Sequence, residues 1–279
     1  MANVELRELQ QYMLGILREI DRICKKHNIQ YFFGYGSLLG AVRHNGFIPW
    51  DDDIDLHMKM EDYFKFIEVC KKELSDEYYI ENHSSNVQSY QYWTQFGVKN
   101  STSINMSMSH IHRSWGICVD IFPVFPYSKD AKEQKKRQSI FRKMKLLSIK
   151  YYHIGTLKQA KGIEKLKKMA HYLVPDWLNL FLFRKYFREL CKEVENPENR
   201  CQTIYSIYNT PEQYFENEWL DDIIELEYEG EKYPCPVGYD GYLRTLYGDY
   251  MQIPKNKEKH SDDPNVVVKF GECYEKYWS

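Results

Sequence analysis

The chain is predicted to be an α/β protein, a mixed sheet core with an added helical region. Three observations predict this. Residues 1–127 alternate between strand-like and helix-like segments, residues 129–195 carry mostly helical patterning, and a hairpin followed by a helix comes within 200–279. These give three expected parts: a core at 1–127, a basic and amphipathic helical region at 128–200, and a C-terminal hairpin and helix at 201–279 that pack back on the core.

The elements follow in order. Val4, Leu6, Leu9, Met13, Ile16, Ile20 and Ile23 recur at helical spacing, which predicts a helix over 3–27. Lys25, Lys26 and His27 suit its negative end, and Asn28 suits its stop. Gln30–Phe33 reads as a short strand, residues 34–37 as a tight turn, and Leu38–His44 as a short helix broken by Gly46-Phe47-Ile48-Pro49. Asp53–Met58 is a strand, residues 61–74 a helix, and stretches near 78–82, 91–99 and 117–122 are extended. The helical region breaks near Pro175. Glu225–Tyr228 and Lys232–Val237, joined by Glu229-Gly230, form a hairpin, and a helix over 239–247 ends at Gly248.

With 279 residues, 43% hydrophobic and 28% charged, the chain can bury a sizeable core. Its 24 Tyr suit both core packing and wet binding surfaces. The seven Cys are widely spaced and form no CxxC, which argues against a disulfide framework or a structural zinc site. MANVELRELQQ lacks the apolar centre of a secretory signal, and no run reaches the length of a spanning helix. A cytoplasmic location is therefore expected. Residues 129–168 hold fourteen Lys or Arg against three acids, so the rest of the chain is strongly acidic. Such a segment either meets an anionic partner or is a solvated helical face. It precedes the Trp/Leu/Phe-rich stretch 172–185, a combination suited to peripheral contact at the inner face of a membrane. Few aromatics interleave its charges and no base-reading motif occurs, so nucleic acid is not an expected partner.

The chemistry centres on Asp53-Ile54-Asp55-Leu56. Alternation along a strand aims Asp53 and Asp55 one way and the apolar residues the other. Adjacent carboxylates repel unless a cation neutralises them, and hard divalent cations prefer oxygen. An acidic solvated edge strand would carry the same residues. Asp120, within Cys118-Val119-Asp120-Ile121-Phe122, is a candidate third carboxylate on a neighbouring strand. Gly36-Ser37 opens a helical run, where free backbone N–H groups can hold phosphate. The Gly-bearing twelve-residue calcium loop is missing, which disfavours a non-catalytic calcium protein.

Hydrophobic-Gly-Ser, then Asp-x-Asp, then hydrophobic-Asp-hydrophobic resembles the nucleotidyltransferase superfold. More specifically, YGSLLGAVRHNGFIPWDDDIDL (Tyr35–Leu56) resembles the signature of the LicD family, which includes phosphocholine transferases and fukutin-type sugar-alcohol phosphate transferases. Val119–Pro123 and Tyr247–Pro254 resemble two further blocks of that family. The resemblance implies a nucleotidyltransferase-like core in which Asp53, Asp55 and Asp120 are catalytic and bind Mg²⁺ or Mn²⁺, with Asp51 assisting. It implies that Gly36 and Ser37 face the donor phosphates. Arg43, His44 and Lys99 are further phosphate-binding candidates. The implied donor is CDP-choline or a similar CDP-linked compound, and the implied acceptor is a hydroxyl of a lipid-linked glycan such as a teichoic acid or lipopolysaccharide precursor. The expected chemistry is in-line phosphoryl transfer across two metals about 3.5–4 Å apart. A choline ammonium needs aromatic walls, for which Trp50, Tyr92, Trp93 and Trp115 are candidates because they flank the acidic motifs. Transfer of ribitol phosphate, glycerol phosphate or a nucleotidyl group by the same metal site is the alternative.

Overall fold

The computed structural model describes residues 5–152, 162, 174–205, 213–254 and 263–279, with side chains described through residue 148 in the first of these ranges. The core is a mixed sheet. Its strands are β1 (Phe32–Phe33), β2 (Asp55–Lys59), β3 (Tyr78–Glu81), β4 (Thr94–Val98) and β6 (Cys118–Ser128), in the order β1-β2-β6-β4-β3. The β2–β6 pair is parallel, and the remaining pairs of this sheet are antiparallel. Strand β7 (Arg200–Thr203) pairs antiparallel with the far end of β6.

Helix α1 (Leu6–His27) buries Leu9, Met13, Ile16, Leu17, Ile20, Ile23 and Cys24, the apolar stripe legible in the sequence. It ends where Asn28 turns left-handed at φ 50° and its N–H caps the carbonyls of Cys24 and Lys25. Helix α2 (Tyr35–His44) begins earlier than the sequence suggests. The expected tight turn at 34–37 is instead its first turn, with Gly34 as N-cap. Glycine is required there, because a Cβ on Gly34 would lie 2.0 Å from Nε2 of the buried His57. Asn45, at φ 53°, ends α2.

Strand β2 starts at Asp55, so Asp53 lies in the extended segment just before it and not within the ladder. Helix α3 (Met60–Glu73) returns the chain to β3. Three strands went unread in the sequence: β7, and β5 (Ser101–Asn105) with β10 (Val266–Phe270), which form their own antiparallel pair. That pair joins segments far apart in the chain, and neither of its strands is framed by local turn signals.

Helices α4 (Ala131–Tyr152) and α5 (Asp176–Leu190) pack side by side. The Arg137 guanidinium donates to the Leu190 carbonyl at 3.2 Å, and Asn179 Nδ2 donates to the Leu147 carbonyl at 2.9 Å. The pair is therefore antiparallel. After a short helix α6 (Asn217–Asp221), β8 (Ile223–Tyr228) and β9 (Glu231–Pro236) form the expected hairpin. Its turn residues Glu229 and Gly230 both have positive φ, 55° and 82°, matching the twist of the strands. Helix α7 (Tyr239–Tyr247) ends at Gly248, φ 65°. Tyr63, Tyr127, Tyr205, Tyr228, Tyr233 and Tyr242 are fully buried, so much of the high Tyr content serves the core.

Candidate active site

Parallel pairing of β2 with β6 makes Asp55 and Asp120 register partners, and the Asp120 N–H donates to the Ile54 carbonyl at 3.0 Å. Antiparallel pairing of β4 with β6 sets Gln95 opposite Asp120. Residues in one register row share a sheet face, so Asp55, Asp120 and Gln95 project together. Asp53, two residues before Asp55 in extended chain, adds to that face. Asp51 arrives from the loop after α2. The buried Gln10 fixes this loop on α1 by donating to the Asp51 carbonyl at 2.9 Å. A Cβ on Gly36 would sit 2.5 Å from Asp51 Oδ2, so any larger residue there would push the Asp51 carboxyl aside.

The four carboxyl groups are half-buried and perturb one another. Burial, then the charge of Asp53 and a hydrogen bond with it, push Asp51 up to about 8. Burial with Asp53, Asp120 and Asp51 nearby holds Asp55 well above the usual carboxylate range. Burial raises Asp120 to about 6, while the Gln95 amide, the buried Arg113 and the Trp93 indole hold it down. Arg113 donates to Gln91 and Gln95 at 2.6 and 2.8 Å, so Gln95 stands between the guanidinium and Asp120. Such a cluster must take up protons or a cation.

The donors are all hard oxygens, which fits Mg²⁺ or Mn²⁺. Among the described residues no three of them already sit at ligand geometry around one point. That is compatible with Mg²⁺, which takes one or two carboxylates and completes its shell with water and substrate phosphate.

Two register rows further along, roughly 7 Å up the strands and so on the same face, His57 lies opposite Phe122. Trp93 stacks on Phe122 with ring centres 5.6 Å apart. Tyr35 meets His57 and Phe122 edge-on at 4.9 and 5.4 Å. Tyr35 has φ 40°, an uncommon conformation for a bulky residue. Its N–H donates to Tyr242 Oη at 3.2 Å, and that oxygen lies 2.8 Å from His57 Nε2. Burial lowers His57 to about 3, so its imidazole is neutral. Tyr247 is exposed overall, but its phenol is raised by local burial and then by the nearby charges of Asp55, Asp51 and Asp53. On the other side of the carboxylates lies a cleft of about 230 Å³ lined by Leu9, Met13, Asp53, Ser103, Cys118 and Val268, among others.

The structure gathers Asp51, Asp53, Asp55, Asp120, Gly36 and Trp93. It corrects other assignments. Ser37 is buried, and its Oγ accepts the Asp55 N–H at 2.8 Å, so its acceptor role is to anchor the start of β2. Tyr92 is buried against Phe125 and Phe141 with its hydroxyl on the Tyr205 carbonyl. Trp115 is buried, donates to the Ile111 carbonyl and lies 3.7 Å under Arg113. Core packing removes both from the aromatic wall. Lys99 is exposed in the β4–β5 turn, four residues past Gln95 and so roughly 13 Å along the strand. Arg43 donates to the carbonyls of Tyr250 and Gln252 and to His44 Nε2, which ties α2 to the segment after α7. Trp50 is half-buried, edge-on to His44 at 6.2 Å. Gln95, Arg113, Tyr242 and Tyr247 are site residues that sequence reasoning missed. Strand alternation in 91–99 could have flagged Gln95, but nothing local marks the others.

Comparison with known proteins fits this geometry. Residues 28–161 match the nucleotidyltransferase domain model of LicD/FKTN/FKRP. Residues 28–161 thus carry a LicD-type nucleotidyltransferase domain. That places the chain among the transferases. The lipopolysaccharide cholinephosphotransferase LicD of Haemophilus influenzae is 26% identical over 265 residues, covering 93% of this chain and 96% of that protein. The ribitol 5-phosphate transferase FKRP of Homo sapiens is 42% identical over 57 residues, which is 20% of this chain and 10% of that protein. An uncharacterised protein of Rickettsia typhi is 40% identical over 65 residues, 23% of this chain and 20% of that protein.

Proposed function

We propose that this chain transfers phosphocholine from CDP-choline to a hydroxyl of a cell-surface glycan precursor. The observation that carries the reading is the Asp55–Asp120 register pair, joined by Asp51 and Asp53 in one cluster of hard oxygen donors. Bound Mg²⁺ would be held by these carboxylates and would neutralise charge on the phosphates and acidify the attacking hydroxyl. The chain's own contribution is alignment. Ser37 fixes the start of β2, Gly36 lets the Asp51 loop close, and Gln95 with Arg113 orients Asp120. A carboxylate left without cation, Asp55 or Asp120, accepts the proton of the attacking hydroxyl.

Choline is favoured by the aromatic row beside the carboxylates. Trp93, Phe122 and Tyr35 cluster two register positions beyond the reacting centre on the same sheet face, and aromatic ring faces are what an ammonium group requires. The whole-length similarity to a cholinephosphotransferase supports the same choice. Ribitol phosphate, by the shorter similarity to FKRP, is the second reading.

The purified chain should be incubated with Mg²⁺, a glycan acceptor and each of CDP-choline, CDP-ribitol and CTP. CMP release from CDP-choline with acceptor modification is expected. Release from CDP-ribitol alone would move the assignment to ribitol, and pyrophosphate release from CTP would replace it with nucleotidyl transfer.

A further inference from the structure

We propose that the outer end of the α4–α5 helix pair docks on an anionic lipid bilayer. Two exposed aromatics stand one turn apart on α5, Trp177 at 71% and Phe181 at 54% exposure. Lys185 continues this exposed stripe to the middle of α5, and Arg188 carries it into the last turn, towards the opposite end. At that end of α4, Leu146 is 45% exposed, with exposed Arg142 and Lys143 one turn before it. The Asn179–Leu147 hydrogen bond sets these segments side by side.

The charges sort along the pair. Towards the opposite end and just beyond it, cations meet acids: Arg137 with Glu133, Lys136 with Glu195, Lys192 with Glu189 and Lys129 with Glu216. Arg142, Lys143, Lys185 and Arg188 make no ion pair among the described residues. Among the described residues, the one acid at this end is Asp176, which opens α5, where the helix dipole favours it.

Aromatic and aliphatic side chains backed by unpaired cations match the interface of an anionic bilayer, which takes up both. A second copy of the chain would set like charges face to face. No helix among the described residues is long and apolar enough to cross a membrane, so contact here is peripheral. The docking end also connects to the acidic cluster. Tyr90 Oη donates to the Asp176 carbonyl at 3.3 Å, and Arg184 donates to the His83 carbonyl at 2.7 Å. Residues 83–93 lead from these contacts to Trp93 and Gln95. The docking does not rest on the transferase reading, though a lipid-linked acceptor would profit from it.

The full chain should be sedimented with vesicles of phosphatidylcholine alone or with about 30% phosphatidylglycerol, at about 0.05 M and about 0.5 M salt. Sedimentation with the anionic vesicles at low salt, weakened at high salt, is expected. The pair Trp177→Ser and Phe181→Ser should lower partitioning about tenfold or more, with thermal melting and CMP release in solution unchanged. Lys185→Gln with Arg188→Gln should flatten the salt dependence. Absence of wild-type sedimentation at low salt would overturn the proposal, as would equal binding to neutral vesicles or an unaffected aromatic pair. A dimer seen by light scattering that these serines dissociate, without vesicle binding, would assign the face to a second copy instead. Vesicle binding without CMP release would sink the transferase reading and leave docking intact.

Discussion

Asp55 and Asp120 occupy one register row of adjacent parallel strands, and Gln95 continues that row on β4. The pairing forces two half-buried carboxyl groups together and adds Asp53 and Asp51 to them. Their mutual repulsion is the physical signature of the site.

Asp55→Asn and Asp120→Asn should each lower CMP release at least about 10²-fold, because each removes a charge that the transferred phosphate's counter-ion needs. Both variants should melt at or above the wild-type temperature without metal, since each relieves repulsion. A calorimetric scan beside the activity assay checks this, and a fully active Asp55→Asn enzyme would end the mechanism.

Stability without metal should fall as pH rises from about 4 to about 8. Asp51 at about 8 and Asp120 at about 6 keep their protons to higher pH than the ordinary 3.8, so the folded state holds more protons across this window. Added Mg²⁺ competes with those protons. The rise in melting temperature that it gives should therefore be small near pH 5 and largest above pH 8, as read by thermal-shift titration.

Trp93→Ala should raise the KM for CDP-choline about five- to thirty-fold, the equivalent of losing about 1–2 kcal/mol of cation–π contact. Trp93→Phe should recover much of it. Trp115→Ala should lower stability without a selective effect on donor KM, because Trp115 packs in the core under Arg113. Steady-state kinetics with choline and ribitol donors separate the two positions.

Ser37→Ala should cost about 1–3 kcal/mol by leaving the Asp55 N–H without its acceptor. Its effect should appear as reduced melting temperature and kcat, with donor KM little changed. A large rise in KM alone would return Ser37 to the phosphate site. Gly36→Ala, which sets a methyl against Asp51 Oδ2, should lose activity with the same loop intact elsewhere.

The sequence by itself determined the helices and the acidic motif. The α1 stripe, the Asn28 stop, the Glu229-Gly230 hairpin turn and the alternation at Asp53–Leu56 are local patterns, and local patterns follow from 3.6- and 2-residue periods. It also supplied the family signature at Tyr35–Leu56. Only tertiary structure decided the rest. Whether Asp120 meets Asp55 depends on the register between strands far apart in the chain. Whether Trp93 or Tyr92 faces the site depends on which side of one strand is buried. Ser37 and Gly36 are neighbours in a motif, yet one turns inward to hold β2 and the other yields space to Asp51. The pairing of β5 with β10 and the exposure of Trp177 likewise depend on contacts between distant segments, where no periodicity within either segment carries the information.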